Sequence, residues 1–295
     1  MRTTSLTFYC TTCLPGYHLP YLAAATNGLF AEHGLEVELR DPDGGPENIR
    51  RVAEGDADFC LTSVAHYLRA TDRFGRLPAR FAGIVVQRSP MAALVRADSP
   101  LWTPADLAGA RLGGPPDKGL VLEYQASLDE LGVGRSTLVP MDYREAWDAL
   151  ARGEVDAVAD FVDIVPRLRR LAGVDVRAVP FGIAAYSSGL VAADRVPLDR
   201  VIGMRDAMVA ALERQRAHPE EGVGQLVRRY PEIDPAAAVE GWMLAVPNIF
   251  TDAPVGSMDA DRWAYTLGFL GGAYGVPAPA PQAVYRPELV ELPVH

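Results

Sequence analysis

Two cysteines in a C-x-x-C spacing stand near the start of the chain, in the stretch FYCTTCLPGYHLPYL. A cysteine thiolate is a nucleophile and a metal ligand, so Cys10 and Cys13 could serve a metal ion, a redox pair or covalent chemistry. A zinc site needs further ligands, and neither Cys60 nor the histidines stand at ligand spacing. The cysteines of a thioredoxin-like redox pair stand at the start of a helix, whereas Leu-Pro-Gly separates Cys13 from the predicted helix here. A partly buried, inert thiol stays the alternative for both cysteines, above all for Cys10.

A histidine follows an apolar run in LTSVAHYLRA. Because imidazole gains and loses a proton near neutral pH, His66 is a candidate proton carrier. It could equally cap its helix or donate a hydrogen bond to a ligand. Thr62 and Ser63, just before it at the end of the predicted strand, are expected ligand contacts.

A glycine-rich turn leads into a helix in RLGGPPDKGLVLEYQ. Free backbone N–H groups and the helix dipole favour an anion at such a helix start. Lys118 and Gly119 are therefore predicted to contact a phosphate, sulfonate or carboxylate. The spacing is neither a Walker loop nor a dinucleotide fingerprint, and a plain strand-to-helix turn is the alternative.

Further candidates stand at the predicted end of a strand and at the predicted second crossing between domains. They are Asp160, Phe161, Asp163, Tyr186 and Ser187. An aspartate there could bind an amine or a pyrimidine amino group. Aromatic side chains such as Phe161 and Tyr17 could stack on a flat ring. Trp242 and Trp263 are instead expected to pack in the core between helices.

The composition limits the class of protein. The chain has 295 residues, 49% of them hydrophobic, and a formal net charge of −10, which disfavours nucleic acid and anionic membranes as partners. Its three cysteines do not indicate a disulfide framework. No apolar run is long enough to span a bilayer. The start, MRTTSLTFYC, has no apolar signal-peptide core, so we expect a cytoplasmic protein, or a periplasmic or extracellular one if a leader was removed.

Strand and helix patterns alternate along the first two thirds of the chain, from SLTFYC and LPYLAAATNGLFAEHG onwards. This alternation predicts an α/β fold with mainly parallel sheets and helices on both faces. Two phrases, AEGDADFCLTS and ARGEVDAVADF, repeat one pattern of helix end, glycine, acidic turn and buried strand. Long helices and a proline-rich tail, expected to wrap the surface, complete the chain.

The stretches PGYHLPYLAAATNGLFAEHGLEVEL, VAEGDADFCLTSVAHYLRA, VRADSPLWTPADLAGARLG and LARGEVDAVAD resemble the type II periplasmic-binding-protein fold. The similar branch holds the fungal-type thiamine pyrimidine (hydroxymethylpyrimidine phosphate) synthases and the pyrimidine and sulfonate receptors of ABC transporters. The resemblance implies one domain from residues 1–90 with 190–295, a second from 91–189, and a ligand cleft between them.

The resemblance also implies site residues. In relatives the loop after the first strand lines the cleft, which makes Cys13, Tyr17 and His18 expected contacts. A similar cysteine serves the more distantly similar aromatic sulfinate desulfinases. The synthases use a histidine that corresponds to His66, but Thr62 stands where their cofactor-anchoring lysine would be. FGIAAYSSGLVAAD replaces their cysteine-rich run, so neither their self-consuming reaction nor any cofactor is expected.

Two functions follow from these residues and the resemblance. The first is a cytosolic enzyme, lyase-like or thiamine-pyrimidine-synthase-like, that acts on a small planar, anionic aromatic or heteroaromatic ligand. In it Cys13 is the nucleophile or a ligand contact, and His66 carries the proton. The alternative is a non-catalytic substrate-binding protein for a pyrimidine thiamine precursor or a sulfonate. An ABC transporter permease is an expected partner only in that second case, and no metal is expected in either.

Overall fold

The computed structural model of the protein describes residues 5–10, 17, 19–41 and 45–290. Two of the predicted site residues, Cys13 and His18, lie outside these ranges. The roles predicted for these two residues therefore stay predictions. The remaining predicted site residues all lie within the described part of the chain.

Strands and helices alternate through most of the described ranges. The strands are β1 (Leu6–Tyr9), β2 (Val37–Arg40), β3 (Phe59–Ser63), β4 (Ala79–Val86), β5 (Met91–Arg96), β6 (Arg111–Gly114), β7 (Thr137–Pro140), β8 (Ala157–Phe161), β9 (Val176–Pro180) and β10 (Ser188–Ala193). The helices are α1 (Leu19–Asn27), α2 (Leu29–Glu32), α3 (Gly45–Glu54), α4 (Val64–Phe74), α5 (Gly119–Glu130), α6 (Tyr143–Arg152), α7 (Val165–Ala172), α8 (Leu198–Ala217), α9 (Val223–Arg229), α10 (Pro235–Ile249) and α11 (Ala260–Tyr274). Within the described ranges, no helix has both the length and the apolar composition needed to cross a membrane.

The strands form two five-stranded sheets with the same pattern of directions. The first sheet has the order β2-β1-β3-β10-β4, and the second has the order β7-β6-β8-β5-β9. Within the described strands, β10 runs antiparallel to both of its neighbours in the first sheet, and β5 does the same in the second. The chain passes from the first sheet to the second through residues 87–90, the first crossing segment, which lead into β5. It returns to the first sheet through residues 181–187, the second crossing segment, which lead into β10. The predicted α/β class with mainly parallel sheets is confirmed, whereas the predicted domain limits stay a prediction.

One predicted helix is two helices in the structure. LPYLAAATNGLFAEHG was expected to form a single helix, but Gly28 separates α1 from α2 with φ 79°. Glycine adopts this left-handed conformation without the Cβ clash that other residues meet, so the chain can turn at this position. Gly34, just beyond α2, has φ 71°, the conformation that the sequence predicts for it.

The two tryptophans expected in the core are fully buried. Trp242 and Trp263 have no exposed surface. The Trp263 ring stacks on Tyr285 at 5.6 Å between ring centres and contacts Phe81 of β4 at 5.1 Å. Aromatic pairs at these distances add to the stabilisation from burial. Helix α11 is thereby packed against the first sheet.

Helix α11 also connects the two crossing segments through Arg262. Its guanidinium donates hydrogen bonds to the main-chain carbonyl of Gln87 and, at 2.9 Å, to that of Ala184. The same guanidinium lies over the Tyr186 ring, 4.4 Å from the ring centre. The Tyr186 N–H in turn donates to Thr266 of α11 at 3.0 Å. One side chain therefore holds both crossing segments against one helix.

After α11 the chain returns along strand β4. The Phe81 N–H donates to the Val284 carbonyl at 2.9 Å, and the Arg286 N–H donates to the Phe81 carbonyl at 2.9 Å. The buried Arg286 guanidinium donates to the Ala193 carbonyl of β10 at 3.0 Å. Residues 281–290 thus cover the edge of the first sheet beside β4.

A substitution at Gly189 of β10 can test how closely β10 and β4 approach each other. A Cβ at this position would lie 2.4 Å from the Gly83 carbonyl oxygen of β4. Because that neighbour is backbone, Gly189→Ala should lower the free energy of unfolding by about 1–3 kcal/mol, measured by urea denaturation. The matched control is Gly268→Ala in α11, where a Cβ meets nothing within 4 Å. This control should raise the same free energy by about 0.5–1 kcal/mol, and equal effects of the two substitutions would contradict the close approach.

Candidate functional site

A cavity of about 490 Å³ lies between segments that follow strands of both sheets. Its walls come from the chain after β3, β6 and β8, from both crossing segments and from α11. In parallel sheets, ligand sites form beyond the carboxyl ends of the strands, which is where this cavity opens. The predicted site residues that line it are Tyr17, Ser63, His66, Lys118, Gly119, Asp160, Phe161, Tyr186 and Ser187.

Three predicted residues do not line the cavity. Thr62 is buried within β3, where it pairs with Gly189 of β10. Asp163 is buried in the 3₁₀ helix Val162–Ile164. Cys10 is buried directly after β1, and burial raises the pKa of its thiol to about 12. Within the described residues, no group of three or more His, Cys, Asp and Glu side chains is placed to hold a metal ion.

His66 lies in the first turn of α4. The Ser63 hydroxyl accepts a hydrogen bond from the His66 N–H at 3.1 Å, so Ser63 is the N-cap of this helix. The imidazole packs against Gly45 at the start of α3, where a Cβ would come within 2.8 Å of the ring. Burial, with Arg69 nearby, lowers the pKa of His66 to about 4. The imidazole is therefore neutral at pH 7 and a weak base.

The start of helix α5 forms a second wall. Lys118 is the N-cap residue and Gly119 the first residue of the helix. Gly119 leaves room for the Tyr274 hydroxyl, because a Cβ there would lie 2.8 Å from that oxygen. One turn further along, Glu123 accepts a hydrogen bond from the Tyr274 hydroxyl. Burial raises the pKa of Glu123 to about 7, although the hydrogen bond from Tyr274 acts in the opposite direction.

The end of β8 and the turn after it form a third wall, where the buried Asp160 lines the cavity and the buried Asp163 stands beside it. Asp160 accepts the Phe161 N–H at 2.8 Å, and burial raises its pKa to about 7. Burial also raises the pKa of Asp163 to about 8, with a smaller contribution from the nearby Asp160 charge. The Asp163 Oδ1 atom and the Tyr17 hydroxyl are both buried and have no hydrogen-bond partner within the described chain.

Sequence reasoning missed several residues that line the cavity. Arg69 stands three residues after His66, and Glu123 stands four after Gly119. Residues three or four apart share one face of a helix, so this spacing could have indicated both. Tyr274 has no comparable signal, because it reaches Glu123 across 151 positions of sequence. The missed residues are Arg69, Glu123, Tyr143, Trp147, Arg167, Phe269 and Tyr274.

The Asp160 carboxyl predicts a pH dependence of stability. Its usual pKa of 3.8 rises to about 7 in the folded protein, under the opposing influences of burial and of Arg167. Between these two pH values the folded state holds a proton that the unfolded state releases, so this contribution to stability falls as pH rises through 7. Asp160→Asn should raise the free energy of unfolding at pH 8 by about 1–3 kcal/mol, with little effect at pH 4, in denaturation curves at both pH values.

Asp156 is the matched control of opposite sign. A hydrogen bond from Arg111, with the 2.7 Å ion pair between them, lowers the pKa of Asp156. This contribution to stability is present above the unfolded pKa and is lost as pH falls through the folded pKa. Asp156→Asn should therefore lower the free energy of unfolding at pH 8. A destabilised Asp160→Asn variant at pH 8 would contradict the assignment of Asp160.

The fold is similar to solved structures of known proteins. The periplasmic aliphatic sulphonate binding protein SsuA of Escherichia coli has a TM-score of 0.74 at 15% identity, over 96% of this chain and 92% of that one. The alkanesulfonate-binding protein SsuA of Xanthomonas axonopodis pv. citri, bound to MOPS, has a TM-score of 0.66 at 16% identity, over 95% and 98%. A mutant of the desulfurization enzyme DszB in complex with biphenyl-2-sulfinic acid has a TM-score of 0.63 at 20% identity, over 97% of both chains.

These likenesses show the periplasmic-binding-protein fold that the sequence predicts. A search of the curated proteins found no match. A family model described as NMT1/THI5 like matches residues 16–221, which is more than half of the chain. This match spans helices α1 to α8 and strands β2 to β10. The chain belongs to the NMT1/THI5-like family.

Proposed function

We propose that the protein is a substrate-binding protein that captures a small organic anion in the cavity and performs no chemistry on it. The carrying observation is a set of basic side chains at the exposed border of the cavity, here named the rim: Arg69, Lys118 and Arg167. Arg69 and Arg167 make no hydrogen bond or ion pair with the described residues. Guanidinium groups without protein partners are suited to an anionic ligand, since charge-assisted hydrogen bonds are the stronger ones.

The start of α5 supports the same ligand charge. The helix is 12 residues long, and its first N–H groups carry partial positive charge. Lys118 adds a full charge at this end, paired only loosely with Asp117 at 3.8 Å. A sulfonate or another oxyanion at this position would accept hydrogen bonds from the backbone while facing the rim.

Aromatic side chains suit the body of the ligand. Phe161 is the last residue of β8, Tyr143 and Trp147 come from α6, and Phe269 comes from α11. Flat rings pack well on such side chains, in stacked or edge-on arrangements. The cavity of about 490 Å³ lies in the range of small-molecule sites, so it has room for a single-ring compound such as an arylsulfonate or a pyrimidine derivative.

The catalytic function expected first from the sequence has less support. The two described cysteines that the sequence offers, Cys10 and Cys60, are buried, and burial raises the pKa of each thiol. A nucleophilic cysteine needs the opposite change, towards the thiolate. His66, with its pKa lowered to about 4, is a poor proton acceptor at neutral pH. The role proposed for Cys13 stays a prediction, and the experiments below decide it.

A receptor of this kind would deliver its ligand to the permease of an ABC importer. The E. coli and Xanthomonas structures support a receptor for sulfonates, since both are named as sulfonate-binding proteins, and one of them as periplasmic. The receptor function places the protein on the outer side of the cytoplasmic membrane. The cytoplasmic location expected from the first residues stays a prediction.

The rim gives the first test. We expect para-toluenesulfonate and MOPS to bind in isothermal titration calorimetry, and the double variant Arg69→Gln with Arg167→Gln to weaken binding about 10–100-fold, as charge-assisted hydrogen bonds are lost. Arg144→Gln is the matched control, because this exposed arginine of α6 pairs with Asp148 and does not line the cavity. Absence of saturable binding, or an equal loss in the control, would overturn the proposal.

Native mass spectrometry gives the second test. Protein purified from its own host should carry a small molecule that is released chemically unchanged on mild denaturation. Cys13→Ala and His66→Ala should release the same compound, because binding without chemistry needs neither a nucleophile nor a proton carrier. A covalent adduct on Cys13, or a compound that only the wild type converts, would instead establish an enzyme.

A further inference from the structure

The cavity also has a buried, acidic part that contrasts with the basic rim. Two of its lining residues, Tyr17 and Asp160, are 5% and 7% exposed. Asp163, also 7% exposed, does not line the cavity but lies near Tyr17: burial, and after it the Asp163 charge, raises the pKa of the Tyr17 hydroxyl. We name Tyr17, Asp160 and Asp163 the floor. Acidic groups are thus buried at the floor, while basic groups are exposed at the rim.

The floor contains polar atoms without partners. The Tyr17 hydroxyl and Asp163 Oδ1 are buried and have no hydrogen-bond partner within the described chain. Asp160 has one described hydrogen bond, which it accepts from the Phe161 N–H. Buried polar groups in native proteins are nearly always hydrogen-bonded, and exceptions call for an explanation such as a missing ligand. Within the described chain, the floor therefore has hydrogen-bond acceptor positions that a ligand with N–H groups could fill.

Within the described part of the chain, no basic side chain makes an ion pair with the floor. Arg167 influences Asp160 electrostatically, but the two make no ion pair, and the Arg167 side chain is exposed at the rim. Tyr143, on the facing helix α6, adds no positive charge. Asp163 is packed tightly against α10, because its carbonyl oxygen would lie 2.8 Å from a Cβ at Gly241.

We propose that the ligand is bifunctional, with an acidic group held at the rim and a protonated amine held at the floor by Asp160 and the Tyr17 hydroxyl. This inference rests on the proposed function and narrows its ligand class to zwitterions. An ammonium group supplies up to three hydrogen-bond donors and a positive charge. It would satisfy the free acceptors of Asp160 and the Tyr17 oxygen, while the anionic group stays in reach of the exposed guanidinium groups.

Two matched pairs of ligands test the inference at pH 8. One pair is para-(aminomethyl)benzenesulfonate and para-toluenesulfonate, and the other is an ω-aminopropanesulfonate and propanesulfonate. The members of each pair differ only in the amine. The aminated member should bind about 10-fold or more tightly in isothermal titration calorimetry, the gain of a charge-assisted hydrogen bond in a buried site.

Variants of the floor assign the preference to its residues. Asp160→Asn should abolish the preference for the amine, while a circular dichroism spectrum like that of the wild type shows that the variant is folded. Tyr17→Phe should reduce the preference severalfold. Asp156→Asn, whose carboxyl pairs with Arg111 away from the cavity, should retain it in full.

The outcomes separate this inference from the function on which it rests. Equal affinities within each pair, or a preference that survives in Asp160→Asn, would overturn the bifunctional ligand and leave a receptor for simple anions. Binding of neither member of either pair would overturn the receptor itself, and the inference with it.

Discussion

The contacts of Arg262 hold together the part of the molecule on which the cavity depends. The chain passes between the sheets twice, and both passages contribute residues to the cavity wall. Arg262 bonds to main-chain carbonyls in both, so their separation is set by one planar group with fixed donor directions. Gln87, in the first passage, is itself fixed by hydrogen bonds to the Pro254 and Ser257 carbonyls ahead of α11. The three strand ends that form the remaining walls are thus presented to one another at a defined distance.

The charged groups of the cavity differ in how strongly solvent screens them. The exposed side chains of Arg69, Lys118 and Arg167 face water, where salt screens charges beyond about 8 Å at physiological ionic strength. Asp160 and Glu123 lie in a less polar environment, which is why their carboxyl pKa values rise to about 7. Under the proposed function, the exposed cations would attract a ligand from solution. The carboxyl groups of the cavity would then discriminate among ligands that have already entered.

Much of this arrangement could be predicted from local patterns. The repeated pattern in AEGDADFCLTS and ARGEVDAVADF identifies β3 and β8, which occupy the same place in the two sheets, and Ser63 and Asp160 follow from it. Lys118 and Gly119 follow from the glycine-rich helix start. The break between α1 and α2 was missed because the apolar spacing continues across Gly28. The contact of Tyr274 with Glu123 had no signal, since it joins two helices that only the packing of α11 brings together.

The segment after α11 bears on how the protein behaves at high concentration. An uncovered edge strand is a template for pairing with another chain, and β4 is long and apolar, with its eight residues almost entirely buried. The N–H and carbonyl of Phe81 are instead bonded to Val284 and Arg286. The proline-rich composition of the segment keeps it from extending the sheet further, because proline has no N–H to donate. Residues 281–290 therefore occupy this edge at Phe81, and their removal would leave the main-chain groups of Phe81 open to pairing with another strand.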